Sequence, residues 1–98
     1  MIVRIVKLSF RPDAVEEFLN IFHESKSLIR NAPGCLRLEL LQDTNQPNVL
    51  STYSWWNHEN DLENYRHSSL FIDTWAKTKP LFNDKPQAWS FNQVEKLA

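Results

Sequence analysis

Three large aromatic residues, Trp56, Tyr65 and Trp75, stand within a span of twenty residues. Side chains of this size can wall a site for a flat, conjugated molecule, because offset ring stacking adds roughly 0.5–1.5 kcal/mol per pair beyond the area buried. The same three residues can equally be plain core of a small domain, and the two roles are compatible. Tyr65 adds a phenol, which at neutral pH donates a hydrogen bond and does not act as a base. Beside it stand Arg66 and His67. An imidazole that titrates near neutrality can move a proton, and a guanidinium can hold an enolate or phenolate. A histidine in the junction between two short helices serves more often as a surface or capping group. Tyr65 and His67 are therefore the candidate catalytic residues, with Arg66 as an anion contact.

Other chemistries have no residues to carry them. The remaining histidines, His23 and His58, are scattered around one thiol, Cys35, so no zinc-ligand spacing occurs and no metal site is expected. A single cysteine cannot form an internal disulfide, and one glycine cannot build a glycine-rich phosphate loop. Cys35 reads as a buried, inert thiol. Eleven Lys and Arg stand against twelve Asp and Glu with no basic stripe, so nucleic acid is not an expected partner. No apolar run approaches the ~18 residues of a membrane span. The opening MIVRIVKLSF carries charges within its apolar run and no small-residue cleavage site. A reduced, cytoplasmic protein is expected.

The elements that must position these residues follow from periodicity. Ile2 to Phe10 reads as a strand. Arg11-Pro12-Asp13 opens a helix running to about Arg30, whose buried stripe is Val15, Phe18, Phe22, Ser25 and Ile29. Asn31 to Gly34 ends it. Cys35 to Gln42 is a second strand with Leu36, Leu38 and Leu40 on one side and Arg37 and Glu39 on the other. Val49 to Trp56 is a third. Asn57 is a plausible N-cap for a short helix from His58 to Arg66. Ser68 or Ser69 caps a further helix with Phe71, Trp75, Thr78 and Phe82 on one face, ended near Pro80. Gln87 to Glu95 is the last strand, with Trp89 and Phe91 on one side.

The order β-α-β-β-α-β is the ferredoxin-like arrangement of an α+β domain. One domain spans residues 1–98, with a four-stranded antiparallel sheet and helices on one face. Apolar residues occupy both faces: in the first strand Ile2, Val6, Leu8 and Phe10 oppose Val3 and Ile5, and in the third Val49, Tyr53 and Trp55 oppose Leu50 and Trp56. A chain of 98 residues has few other means of support. The uncovered face is therefore expected to pack on its twin in a homodimer, burying at least the ~1,600 Å² of a standard interface.

The segment Ala32-Pro33-Gly34-Cys35, and the run WWNHENDLENYRHSSLF from Trp55 to Phe71, carry a family resemblance. They resemble the antibiotic biosynthesis monooxygenase family, whose members are dimeric α+β barrels. Pro33-Gly34-Cys35, Trp56, Leu62, Ser68 and Phe71 match the family pattern. Ser54 stands at the family's glutamate, Tyr65 at its first histidine and Leu70 at its second. The resemblance implies a pocket between sheet and helices, lined by Thr52, Ser54, Trp56, Leu62, Tyr65 and Trp75. It also implies a cofactor-independent monooxygenase acting on a small aromatic or quinol-like molecule. The haem-degrading branch needs an asparagine on strand 1, which is absent, and an axial histidine where Trp75 stands. The alternatives are a non-catalytic dimeric small-molecule-binding module and haem binding through another ligand, for which His67 is the nearest candidate.

Overall fold

The computed structural model describes residues 1–98. Four strands, β1 (Ile2–Ser9), β2 (Cys35–Gln42), β3 (Val49–Trp56) and β4 (Gln87–Asn92), form one sheet in the order β2-β3-β1-β4. All neighbours are antiparallel. Three helices, α1 (Val15–Arg30), α2 (Glu59–Arg66) and α3 (Ser69–Thr78), complete the ferredoxin-like βαββαβ order. No helix is long and apolar enough to cross a membrane.

Several boundaries differ from the expected ones. Pro12 has no N–H to give and sits in a 3-10 turn, Pro12–Ala14, before the α-helix proper begins at Val15. Asn57 does not cap α2. Its backbone N–H is held by the Gly34 carbonyl at 2.8 Å, so His58 becomes the N-cap and supplies no side-chain bond. Ser68 does cap α3, its hydroxyl accepting from the Phe71 N–H at 3.2 Å and donating to the Tyr65 carbonyl at 2.6 Å. β4 stops at Asn92, short of Glu95, because its one neighbour β1 ends: Asn92 lies opposite Ile2, and only Gln93 N–H to Met1 O follows.

β2 departs from simple alternation. A bulge between Cys35 and Arg37 puts Cys35 opposite Trp56 and Arg37 opposite Trp55. Cys35 thus takes the inward place and is buried, whereas Leu36 is left 42% exposed. The expectation that Leu36 joins Leu38 and Leu40 fails for this reason.

The helix-covered side holds two core clusters. Leu8, Phe10, Ala14, Phe18, Leu50 and Leu81 form one, with Phe10 stacked on Phe18 at 4.3 Å and on Phe82 at 5.3 Å. Cys35, Trp56 and Leu62 form the other. Of the expected α1 stripe, Phe18, Ser25 and Ile29 are buried, and Val15 and Phe22 only half so. Ser25 returns its hydroxyl to the Ile21 carbonyl at 2.9 Å, which removes the cost of burying it.

The other side of the sheet has no helix. Val3, Ile5, Tyr53 and Trp55 lie there half-buried, Trp89 is 43% exposed and Phe91 49% exposed. Arg37 spreads its guanidinium over Trp55, 5.0 Å from the ring centroid, and pairs with Glu39 in its own strand. Trp55 Nε1 is buried and has no acceptor within the chain.

Gly34 turns the chain from α1 into β2 at φ 83°. A Cβ there would collide with the Asp61 side chain at the start of α2. Gly34→Ala is expected to cost at least about 1–2 kcal/mol from the left-handed backbone alone. A thermal melt should show the midpoint falling by about 4 °C or more. An unchanged midpoint would mean that the turn relaxes freely.

Candidate functional site

Between the two core clusters, the helices and the inner face of the sheet enclose a cavity of about 370 Å³. That is the size range of small-molecule sites. Leu8 and Phe18 from one cluster and Trp56 and Leu62 from the other wall its ends. The filling of each cluster by its own bulky side chains leaves the space between them open.

Strand register builds the floor. On β1, Arg4, Val6 and Leu8 point inward; on β3, Thr52, Ser54 and Trp56 do the same. Arg4 lies opposite Ser54 on one side and Ser90 on the other, and Val6 opposite Thr52 and Ala88. Ser54 is buried and its oxygen accepts the Trp56 indole N–H at 3.0 Å. That bond satisfies the buried indole and leaves the Ser54 hydroxyl proton free to donate.

The roof is aromatic. Trp56 stacks on Tyr65 at 5.1 Å, Tyr65 meets Phe71 edge-on at 5.4 Å, and Phe71 stacks on Trp75 at 5.8 Å. The three aromatics singled out in the sequence thus belong to one continuous wall, with Phe71 as the link between Tyr65 and Trp75. The Ser68 cap makes this possible, because it joins the last turn of α2 to the first turn of α3 and so fixes Tyr65 against Phe71. Thr74 and Thr78 also line the roof, Thr78 donating its hydroxyl to the Thr74 carbonyl at 2.8 Å.

Burial, with Cys35 close by, pushes the Tyr65 phenol up to about 12. It therefore remains protonated through the neutral and mildly alkaline range, a donor and not a base. The folded chain holds this proton more tightly than the unfolded chain, so the contribution is complete below pH 10 and is lost as pH rises through about 12. Cys35 is likewise pushed up by burial, which keeps it an unreactive thiol.

Of the residues named from sequence, Thr52, Ser54, Trp56, Leu62, Tyr65, Arg66 and Trp75 all line the cavity. His67 does not. Its side chain is 79% exposed, and its Nδ1 lies 2.8 Å from the Glu63 carbonyl, which can only accept. The ring is thus turned back onto the C-terminus of α2, a capping position. Arg66, at the rim, pairs with Glu63 at 2.8 Å.

Arg4 is the charged lining residue that the sequence analysis leaves unnamed. The signal was present: alternation on β1 puts position 4 on the same face as Ile2, Val6 and Leu8. A charge at an inward position among apolar residues marks a site. Its guanidinium gives one hydrogen bond to Ser90 Oγ at 2.8 Å. Burial, then the nearby Arg66, depress its pKa, while Glu63 opposes them. No His, Asp, Glu or Cys lines the cavity, and no group of three such side chains is placed to hold a metal ion.

A family model for antibiotic biosynthesis monooxygenases matches residues 1–77, more than three-quarters of the chain. The chain belongs to the antibiotic biosynthesis monooxygenase family. Solved structures agree with that assignment in fold. Rv0793 from Mycobacterium tuberculosis superposes with a TM-score of 0.90 at 15% identity, covering 99% of this chain and 98% of its own. A conserved protein from Methanosarcina mazei Go1 gives 0.87 at 20% identity, over 93% and 91%. A mutant of SnoaB, a cofactor-independent oxygenase from Streptomyces nogalater, gives 0.86 at 16% identity, over 98% and 95%. No curated protein matches the sequence. At these identities the superpositions establish the antibiotic biosynthesis monooxygenase fold, and the chemistry must be argued from this chain's own cavity.

Proposed function

We propose that this protein is a cofactor-independent monooxygenase acting on a small aromatic or quinol-like molecule held in the cavity between sheet and helices. The observation that carries the reading is the combination, within a monooxygenase family, of a continuous aromatic wall and a floor with few polar groups, at Arg4, Thr52 and Ser54. An electron-rich substrate can supply every electron itself. A hydroquinone and O₂ give a hydroxyquinone and water: one oxygen atom forms a new C–O bond, the other leaves as water, and the ring is oxidised to the quinone. The protein contributes orientation, exclusion of water and hydrogen bonds to the ring oxygens.

Phe71 and Trp75 would stack on the substrate, Trp56 would back the wall behind Tyr65, Leu62 would close one end, and Tyr65 and Ser54 would donate to its oxygens. Arg4 and Arg66 would favour the ionised substrate, the form that gives an electron to O₂ most readily. The working assembly is a homodimer joined through the open sheet face, where Trp89 and Phe91 await cover. The lone buried thiol suits the reducing cytoplasm.

Oxygen uptake with a dihydroxy-aromatic substrate tests the reading. Tyr65→Phe keeps the ring stack and removes the donor, and should slow turnover about tenfold or more, the effect of losing one oriented donor. Equal uptake in the variant would remove Tyr65 from the mechanism. One feature favours a second reading, a binding module without turnover: the cavity wall carries no carboxylate or imidazole to act as base. Retention of an unaltered aromatic ligand by the purified dimer, with no oxygen consumed, would decide for it.

A further inference from the structure

Two arginines face a mostly apolar cavity whose other polar side chains are neutral and which carries no acidic one. Arg4 lies half-buried on the floor with no carboxylate in ion-pairing range, and its hydrogen-bond partner is the neutral Ser90 hydroxyl. A partly desolvated cation without a counter-charge is costly unless an anion completes it. Arg66 stands at the rim close enough to act electrostatically on Arg4. Its own charge is offset by Glu63 at 2.8 Å. Two guanidiniums less one carboxylate leave one net positive charge. Ser54, opposite Arg4 in register, has a hydroxyl proton still to give.

We infer that the cavity's ligand is an apolar ring system bearing one singly charged planar oxyanion, a carboxylate in the simplest case, held by Arg4 with Arg66 at the rim. The ring lies against the wall from Trp56 to Trp75, and the acid group lies toward the β1–β4 side of the floor. A guanidinium fork matches a carboxylate in shape as well as charge. A dianion would exceed the single net charge available. This deepens the oxygenase reading in that it uses the same cavity, but it requires no turnover.

Binding of three probes that cannot reduce O₂ separates the two: 2-naphthoate, 2-naphthamide and 2-naphthyl phosphate, measured by calorimetry on the 98-residue protein. The naphthoate should bind at least about tenfold more tightly than the isosteric neutral amide, the usual scale for a charge-assisted bond. It should also bind more tightly than the phosphate. Arg4→Gln should abolish the preference for acid over amide, Arg4→Lys should keep part of it, and Arg66→Gln should reduce it less than Arg4→Gln does. Thermal melts identify any variant that has not folded, and the comparison of acid with amide in the wild-type protein stands without variants. Equal binding of acid and amide, tighter binding of the phosphate, or no binding of any probe at millimolar concentration would each overturn the inference. Failure of oxygen uptake alongside selective naphthoate binding would sink the oxygenase reading and leave this one intact.

Discussion

Trp56→Ala is expected to be the most damaging single truncation, costing about 3–5 kcal/mol of stability. The residue is 1% exposed, stacks on Tyr65 and bonds Ser54 through its indole N–H. Its removal therefore takes away a large buried area, a ring stack and the partner of a buried hydroxyl together. A domain of this size has only about 5–15 kcal/mol in hand, so the thermal midpoint should fall by at least about 10 °C. Trp56→Phe separates the contributions. It keeps the stack and most of the volume, loses the Ser54 bond, and should cost about 1–2 kcal/mol. Equal midpoints for the alanine variant and the wild type would show that the second core cluster is dispensable. The site would then lose its rigid end wall.

Ile5→Glu is expected to separate the proposed dimer. Ile5 lies at the middle of the open sheet face, opposite Tyr53 on β3 and Trp89 on β4. In a two-fold interface the substitution acts twice, and each buried unpaired carboxylate costs about 3 kcal/mol or more. The dissociation constant should rise by well over 100-fold. Sedimentation velocity at micromolar concentration should show a dimer for the wild type and a monomer, or unfolded chain, for Ile5→Glu. Only 14 of 98 residues are buried within one chain, which is why loss of the partner should also lower the melting midpoint. A wild-type chain that sediments as a stable, folded monomer would end the dimer proposal.

Element order and the helix-covered side of the domain were legible in the residues because they depend on near neighbours. Period-2 and period-3.6 patterns, the Ser68 cap and the Gly34 turn act over a few positions, and the structure agrees with them closely. Apart from the 3-10 turn at Pro12, the exceptions arose where residues distant in sequence intervened. Asn57 was drawn into pairing with Gly34, Cys35 displaced Leu36 through a bulge, and β4 ended where β1 offered no further partner.

For the site, the residue types announced a wall of aromatics, and the family pattern located Thr52, Ser54 and Leu62 beside it. Chain periodicity alone does not say whether two core clusters will meet or leave a gap, because that depends on how side-chain volumes from several elements sum. Nor does it say which of two adjacent polar residues turns inward. Arg66 reaches the cavity rim and His67 folds back onto its own helix, a difference set by the ~100° step of the helix and the packing of α2 on the sheet. The identity of the fold is thus written in local pattern. The hollow, the inward Arg4 and the outward His67 come from tertiary packing, because only the assembled sheet and helices decide which side chains share a space.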